Sequence, residues 1–304
     1  MTVAVVFDRY GAAEVLRLDE RADPLPGVGE VRVRVRAAGV QPFDVGVRSG
    51  RMAGFVPVTF PQTIGQEYAG VIDLLGPGVT SLAVGDEVLG STMLAAQAQH
   101  VVVPAGNVVA KPPELSFAQA AAFVAAAQTA SGALLELGVT EGDTLLVHAA
   151  AGSVGTIAVQ LGVLAGATVI GTASPANHDY LRSIGAIPVA YGDGLVERVR
   201  AAAPGGVTVA LDAIGGEAIE ASTHLVADRQ RIGTIVDDRL AAEHGIRVVR
   251  AGRSPTRLAE VIALAAAGKI ILPVRPYAFA DVVEAHRAVE SGHGRGKVVI
   301  VVEE

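Results

Sequence analysis

Asp143 to Gly155 reads DTLLVHAAAGSVG, an apolar stretch that runs straight into small residues and two glycines. Leu145, Leu146 and Val147, bounded by that turn signal, read as a buried parallel strand. In the TIAVQLGVL segment that follows, Ile157, Val159, Gln160 and Leu161 fall near helical spacing, which predicts a helix starting near Ser153. The free amides and positive dipole end of such a helix hold a pyrophosphate well. The spacing approaches G-x-G-x-x-G, with Gly152 and Gly155 as second and third glycines and Ala150 in place of the first. Ala151, Gly152, Ser153, Val154 and Gly155 are therefore the candidate phosphate contacts. A strand-helix-strand unit with a small-residue turn and no ligand is the alternative.

The surroundings favour a dinucleotide. Ala167 to Thr172 (ATVIGT) is a second β-branched run, and no Asp, Glu, Lys or Arg stands between Thr144 and His178, as a buried βαβ crossover requires. At the tip of that second strand, where an acidic residue would bond the ribose hydroxyls of NAD, stand Thr172, Ala173 and Ser174. A carboxylate there would repel a 2′-phosphate, so its absence permits NADP, with Ser174, Asn177 and His178 as neutral or weakly basic donors. No Arg or Lys follows until Arg182. Ser174 before Pro175 also suits a helix cap.

Composition removes other chemistries. There are 0 cysteines, which excludes disulfides, thiolate catalysis and Cys-based zinc sites. The histidines at 100, 148, 178, 224, 244, 286 and 293 show no metal-ligand spacing. The formal charge of −7 is spread out and aromatic residues are 4%, so neither a nucleic-acid surface nor a base-stacking platform is expected. Ala120 to Ala127 is too short and too alanine-rich to span a bilayer. The opening MTVAVVFDRYGA lacks a basic region followed by an apolar core, so the expectation is a cytoplasmic protein with no membrane partner.

These residues need elements to carry them, and 304 residues suggest two domains. Up to about Lys111, short alternating runs such as EVRVRVR (Glu30 to Arg36), with Gly70 to Leu75 and Gly85 to Leu89, predict half-exposed antiparallel strands separated by glycine turns. After Lys111-Pro112-Pro113, Ser116 and Gln119 form a capping-box pattern ahead of an alanine-rich helix to about Leu137. Later strands are expected at Ile187 to Ala190, Thr208 to Ala213, Arg231 to Val236 and Ile246 to Ala251, with helices between most of them, which implies a doubly wound parallel sheet. Ser254-Pro255 opens another helix closed by Gly268, and a last helix and a strand from Lys297 return to the first domain.

Taken together, the chain resembles the zinc-free quinone oxidoreductase branch of the medium-chain dehydrogenase/reductase superfamily. The carriers are AAGVQPFDVGVRSG (Ala37 to Gly50), IGQEYAGVIDLLGPGVTSLAVGDEVLG (Ile64 to Gly90), QTASGALLELGVTEGDTLLVHAAAGSVG (Gln128 to Gly155), YLRSIGA (Tyr180 to Ala186), ALDAIGG (Ala210 to Gly216) and GRGKVVI (Gly294 to Ile300). The resemblance implies an α/β protein: a GroES-like β-rich substrate domain from 1–113 and 272–304, and a Rossmann NADP-binding domain from 114–271, with the active site in the cleft. Zinc members place a Cys in the first segment and a His before Glu67, where this chain has Gln41 and Gln66.

By position match, the resemblance implies that Gln41 and Asp44 line the acceptor end, and that Thr129 lies near the nicotinamide amide. Ser174, Asn177 and Tyr191 surround the adenosine 2′-phosphate, although relatives often carry a Lys near Asn177. Ile214 in ALDAIGG and Lys297 fall beside the cofactor. Asp44 also suits a turn cap, and Lys297 a solvated strand start. Gly46 replaces a tyrosine of some relatives, which implies a wider acceptor pocket, and Tyr68 offers a substitute hydroxyl or a packing residue. His148 and His286 read as core or cap histidines. The implied function is an NADPH-dependent, zinc-free reductase of quinones or α,β-unsaturated carbonyls, working as a homodimer through the sheet edge near Ile246 to Ala251. An enoyl-thioester reductase of a biosynthetic pathway and a non-catalytic NADPH-binding protein are the alternatives.

Overall fold

The structure, a computed structural model, describes residues 1–292 and 294–302; His293, Glu303 and Glu304 lie outside the described residues. In chain order the first elements are β1 (Thr2–Phe7), β2 (Leu16–Arg21), β3 (Glu30–Val40), α1 (Pro42–Arg48), β4 (Gln62–Thr63), β5 (Glu67–Leu75), β6 (Glu87–Ser91), β7 (His100–Pro104) and β8 (Val109–Ala110). Then come α2 (Phe117–Leu137), β9 (Thr144–Val147), α3 (Ser153–Leu164), β10 (Thr168–Ala173), α4 (His178–Ser183), β11 (Ile187–Ala190), α5 (Leu195–Ala202), β12 (Val209–Asp212) and α6 (Glu217–Leu225). β13 (Ile232–Thr234), α7 (Asp238–His244), β14 (Arg247–Val248), α8 (Pro255–Ala266), β15 (Val274–Ala278), α9 (Val282–Glu290) and β16 (Lys297–Val301) complete the chain.

By packing, the chain divides into two units, Met1–Ala125 with Ser254–Glu304, and Ala126–Arg253. This division differs from the sequence-based one at 113/114 and 271/272. Lys111 is part of a packed segment and not of a linker: its ammonium reaches the carbonyls of Pro112 and Leu115 at 3.0 and 2.7 Å and pairs with Glu87 at 2.8 Å. At the other end, α8 packs against β8 and so belongs with the first unit.

In the first unit, among the described residues, one sheet runs β15-β16-β3-β5-β6-β8 with β7 also paired to β3, and a smaller one runs β2-β1-β4. The alternation in EVRVRVR does what its period dictates, since Val31, Val33 and Val35 are buried while the arginines between them stay half-exposed. One core gathers those valines with Tyr68, Ile72 and Val88; another joins Phe7, Ile64 and Val47 to the inner face of α9.

The second unit holds a six-stranded parallel sheet, ordered β11-β10-β9-β12-β13-β14. Numbered within the unit this order is 3-2-1-4-5-6, the doubly wound arrangement in which strand order reverses beside the first strand, β9, and ligands bind beyond the carboxyl ends there. β9, β10 and β12 carry almost no exposed residue, as strands covered on both faces must. β13 and β14 are shorter than the expected runs. The Thr234 hydroxyl accepts the amides of Val236 and Asp237, and Asp237 then caps α7, so the chain turns away after Thr234.

α2 starts on the expected capping box: Ser116 N donates to Gln119 Oε1 at 2.9 Å and Gln119 N to Ser116 Oγ at 3.2 Å. At 21 residues it is long and apolar enough to cross a membrane, but 78% of its apolar window is buried inside the protein, which is the state of a core helix.

Candidate active site

The loop after β9 is built for close approach. Ala149 takes a left-handed conformation (φ 54°), and its carbonyl accepts the Gly152 amide at 3.0 Å. A Cβ at Gly155 would lie 2.3 Å from that carbonyl oxygen and 2.7 Å from Ala150 Cα, so only glycine lets α3 start here. Gly152 is the N-cap of α3, and no side chain caps the helix. The amides of Ser153, Val154 and Gly155 therefore occupy a first turn that lacks intrahelical acceptors and faces out beyond β9. Ala151 is buried, while Ser153 and Val154 are half-exposed.

The neighbouring strands end at the same edge of the sheet, because all are parallel. At the tip of β10, Thr172 is buried and bonds His148, and Ser174 sits at the turn. Asn177 Nδ2 lies 3.2 Å from Ser174 Oγ, whose oxygen makes no cap bond to the turn that follows, so Ser174 holds the cap position without capping. After β11, Tyr191 is 61% exposed. Arg198 on α5 donates to the carbonyls of Ala190, Tyr191, Gly192 and Asp193, at 3.0, 3.3, 3.0 and 2.6 Å. A guanidinium charge thus stands under the Tyr191 turn, brought there by α5 from seven residues beyond Tyr191 and not by any Arg or Lys next to Ser174 in the sequence. After β12, the buried Asp212 accepts the amides of Ile214 and Gly215 at 3.0 and 2.9 Å and the Thr234 hydroxyl at 2.6 Å. The ALDAIGG turn is thereby fixed, with the Ile214 side chain exposed. Thr129 is half-buried on α2.

His148 connects these tips. Ser222 Oγ donates to Ala218 O at 2.8 Å, so it accepts from His148 Nε2–H at 3.0 Å, and His148 Nδ1 accepts from Thr172 at 3.2 Å. Burial lowers the imidazole to about 4, against the pull of the Asp212 charge, so the ring is neutral.

In the first unit, Gln41 is the N-cap of α1, and Gln41 and Asp44 form a reciprocal capping box: Gln41 N donates to Asp44 Oδ2 at 2.9 Å, and the Gln41 side chain accepts from the Asp44 amide. Asp44 is fully buried as a cap. Gln41 Nε2 is buried and has no partner among the described residues. A Cβ at Gly46 would meet Met52 Cγ and Sδ at 3.1 Å, so the space expected from the missing tyrosine is filled by the Met52 side chain.

Tyr68 is a packing residue. It is fully buried in the valine core, its hydroxyl lies against Gly90, and burial pushes its pKa up, so the expected hydroxyl role gives way to the packing one. Lys297 is also buried, where a strand-initiating lysine would be solvated; its ammonium pairs with the fully buried Glu67. Nothing in composition or spacing marked Glu67, whose signal is visible only as the acidic residue beside Gln66. Arg48 and His286 form another buried group: Arg48 pairs with Glu290 at 3.0 Å and His286 Nε2 lies 3.0 Å from Gln97 Oε1, with His286 lowered to about 3 by burial and then by the Arg48 charge.

Residues 27–113 match the family of the alcohol dehydrogenase GroES-like domain, and 184–300 that of zinc-binding dehydrogenase. The spectinabilin polyketide synthase system protein NorB of Streptomyces orinoci is 37% identical over 306 residues, covering 93% of this chain and 14% of that protein. The synaptic vesicle membrane protein VAT-1 homolog of Rattus norvegicus is 32% identical over 236 residues, covering 76% of this chain and 58% of that protein, so the chain spans only part of the length of these relatives. Among solved structures, the quinone oxidoreductase from Coxiella burnetii has a TM-score of 0.89 at 28% identity, covering 99% of both chains. The Escherichia coli quinone oxidoreductase complexed with NADPH has a TM-score of 0.87 at 26% identity, covering 99% of this chain and 100% of that one.

Proposed function

We propose that this chain, a member of the quinone oxidoreductase branch of the medium-chain dehydrogenase/reductase superfamily, is an oxidoreductase that reduces quinones or α,β-unsaturated carbonyls with NADPH and without zinc. The observation that carries this reading is the uncapped first turn of α3, with Gly155 pressed onto the Ala149 carbonyl. NADPH, when bound, supplies a hydride to the conjugated acceptor.

The chain's own residues bind and orient. The Ser153, Val154 and Gly155 amides hold the pyrophosphate, and the Asp212-braced turn carries Ile214 beside the cofactor. Ser174, Asn177 and Tyr191 take the 2′-phosphate; the absence of a carboxylate at the β10 tip and the Arg198 charge beneath Tyr191 favour it. With its oxygen held by the Asp44 amide, Gln41 presents Nε2 as a donor to the acceptor carbonyl, where negative charge develops during transfer. Thr129 orients the nicotinamide amide. The zinc-free reading is supported by the donor set: there are 0 cysteines, and among the described residues no three His, Asp or Glu side chains are grouped to hold a metal ion.

A second reading, reduction of an enoyl thioester, is favoured by the 37% identity to a polyketide synthase protein across nearly the whole chain. Rates of NADPH and NADH oxidation with quinones, enones and enoyl thioesters decide between them. Faster turnover of enoyl thioesters than of any quinone or enone would replace the first reading by the second.

A further inference from the structure

In the first unit, β3, β16 and the first half of α2 converge on one carboxylate of β5. Glu67 on β5 is fully buried. Lys297 at the start of β16, with a side chain 4% exposed, pairs with its Oε1. The backbone amide of Ala125, inside α2, donates to Oε2 at 2.7 Å. Gly39 on β3 lies so close that a Cβ there would be 2.1 Å from Oε1, so the strand can pass only as glycine. Replacing a buried ion pair by an apolar pair of similar volume is often neutral or stabilising, because taking two charges out of water offsets their attraction, so the pair is weak evidence for a role in stability. What the pair gives is a fixed geometry. Gly39 stands two residues before Gln41, and Ala125 one helical turn before Thr129.

We propose that Glu67 is a positioning residue: its carboxylate fixes the end of β3 that leads to Gln41 against the Ala125 turn of α2, and Lys297 is its counter-charge. The inference rests on the hydride-transfer reading above. It reassigns Lys297 from the cofactor to the scaffold behind the acceptor end. A glutamine at 67 can still accept the Ala125 amide, whereas an alanine cannot.

The test compares Glu67→Gln/Lys297→Met with Glu67→Ala/Lys297→Met, since neutralising both partners leaves no lone buried charge to unfold the protein. Both double variants are expected to fold and to bind NADPH within about twofold of the parent, because the phosphate loop is untouched. The alanine pair is expected to lose kcat by at least about tenfold at unchanged acceptor KM, and the glutamine pair to recover at least about a third of it. Hydrogen exchange at the Ala125 amide should speed up in the alanine pair only. Unchanged kcat or unchanged Ala125 exchange in a folded alanine pair overturns the inference, as does equal loss in both pairs. Should the parent turn over none of the acceptors, the hydride-transfer reading falls, and Ala125 exchange together with the emission of bound NADPH still decides whether Glu67 sets the helix.

Discussion

A Cβ at Gly171 on β10 would lie 2.8 Å from the Cβ of Ala150 in the phosphate loop. The two positions are complementary. Ala150 stands where the dinucleotide motif has its first glycine, is fully buried, and directs its methyl onto the backbone of the next strand. The missing glycine of the loop is thus supplied by the neighbouring strand, and the left-handed conformation that tightens the turn is taken by Ala149.

Gly171→Ala should therefore destabilise the protein by about 1–3 kcal/mol, the usual effect of an added methyl in a full core. Thermal unfolding measures it, with NADPH titration as the second readout. Ala150→Gly in the same chain should restore most of the loss. A neutral Gly171→Ala would show that the two backbones are free to separate.

Gly155→Val should weaken NADPH binding by at least about tenfold, because the side chain would push the first turn of α3 off the Ala149 carbonyl. Fluorescence titration of NADPH tests this. Undiminished affinity would mean that the pyrophosphate is held elsewhere.

The buried histidines set an acid sensitivity. His148 has its pKa lowered from 6.5 to about 4 in the native state, so between those values the unfolded chain takes up a proton that the folded one refuses. Stability is full above the unfolded value and falls as pH drops through this window, by about 3 kcal/mol from His148 alone. His286, lowered to about 3, acts in the same direction. Urea unfolding at about pH 7 and about pH 5 should show the loss, and His148→Asn should flatten the slope. An identical slope in that variant would remove His148 from the account.

Legibility followed the range of the signal. The α3 start, the capping box at Ser116 and the parallel sheet were readable because each is written in local spacing or periodicity. Lys111-Pro112-Pro113 read as a boundary because prolines punctuate sequence, yet Lys111 is tied to neighbouring carbonyls and to Glu87. The Gly46 position suggested open space, but Met52, six residues on, folds back into it. Glu67 and Lys297 owe their roles to partners 58 residues or more away in the chain, which no local window of sequence contains, and Arg198 to a helix that folds back beneath the Tyr191 turn.

Asn177→Lys should raise the preference for NADPH over NADH by about tenfold, since a charge-assisted bond to phosphate is worth roughly 1.5–3 kcal/mol. Dissociation constants for both nucleotides measure it. A change in both by the same factor would place the 2′-phosphate away from Asn177 and Ser174.

The most direct test of the central proposal is the oxidation of NADPH, followed by absorbance, with quinones, enones and enoyl thioesters in a metal-free buffer containing chelator. The account predicts turnover of quinones or enones, faster with NADPH than with NADH and insensitive to the chelator. Tight NADPH binding without turnover of any acceptor, or activity that appears only when zinc is added, would contradict it.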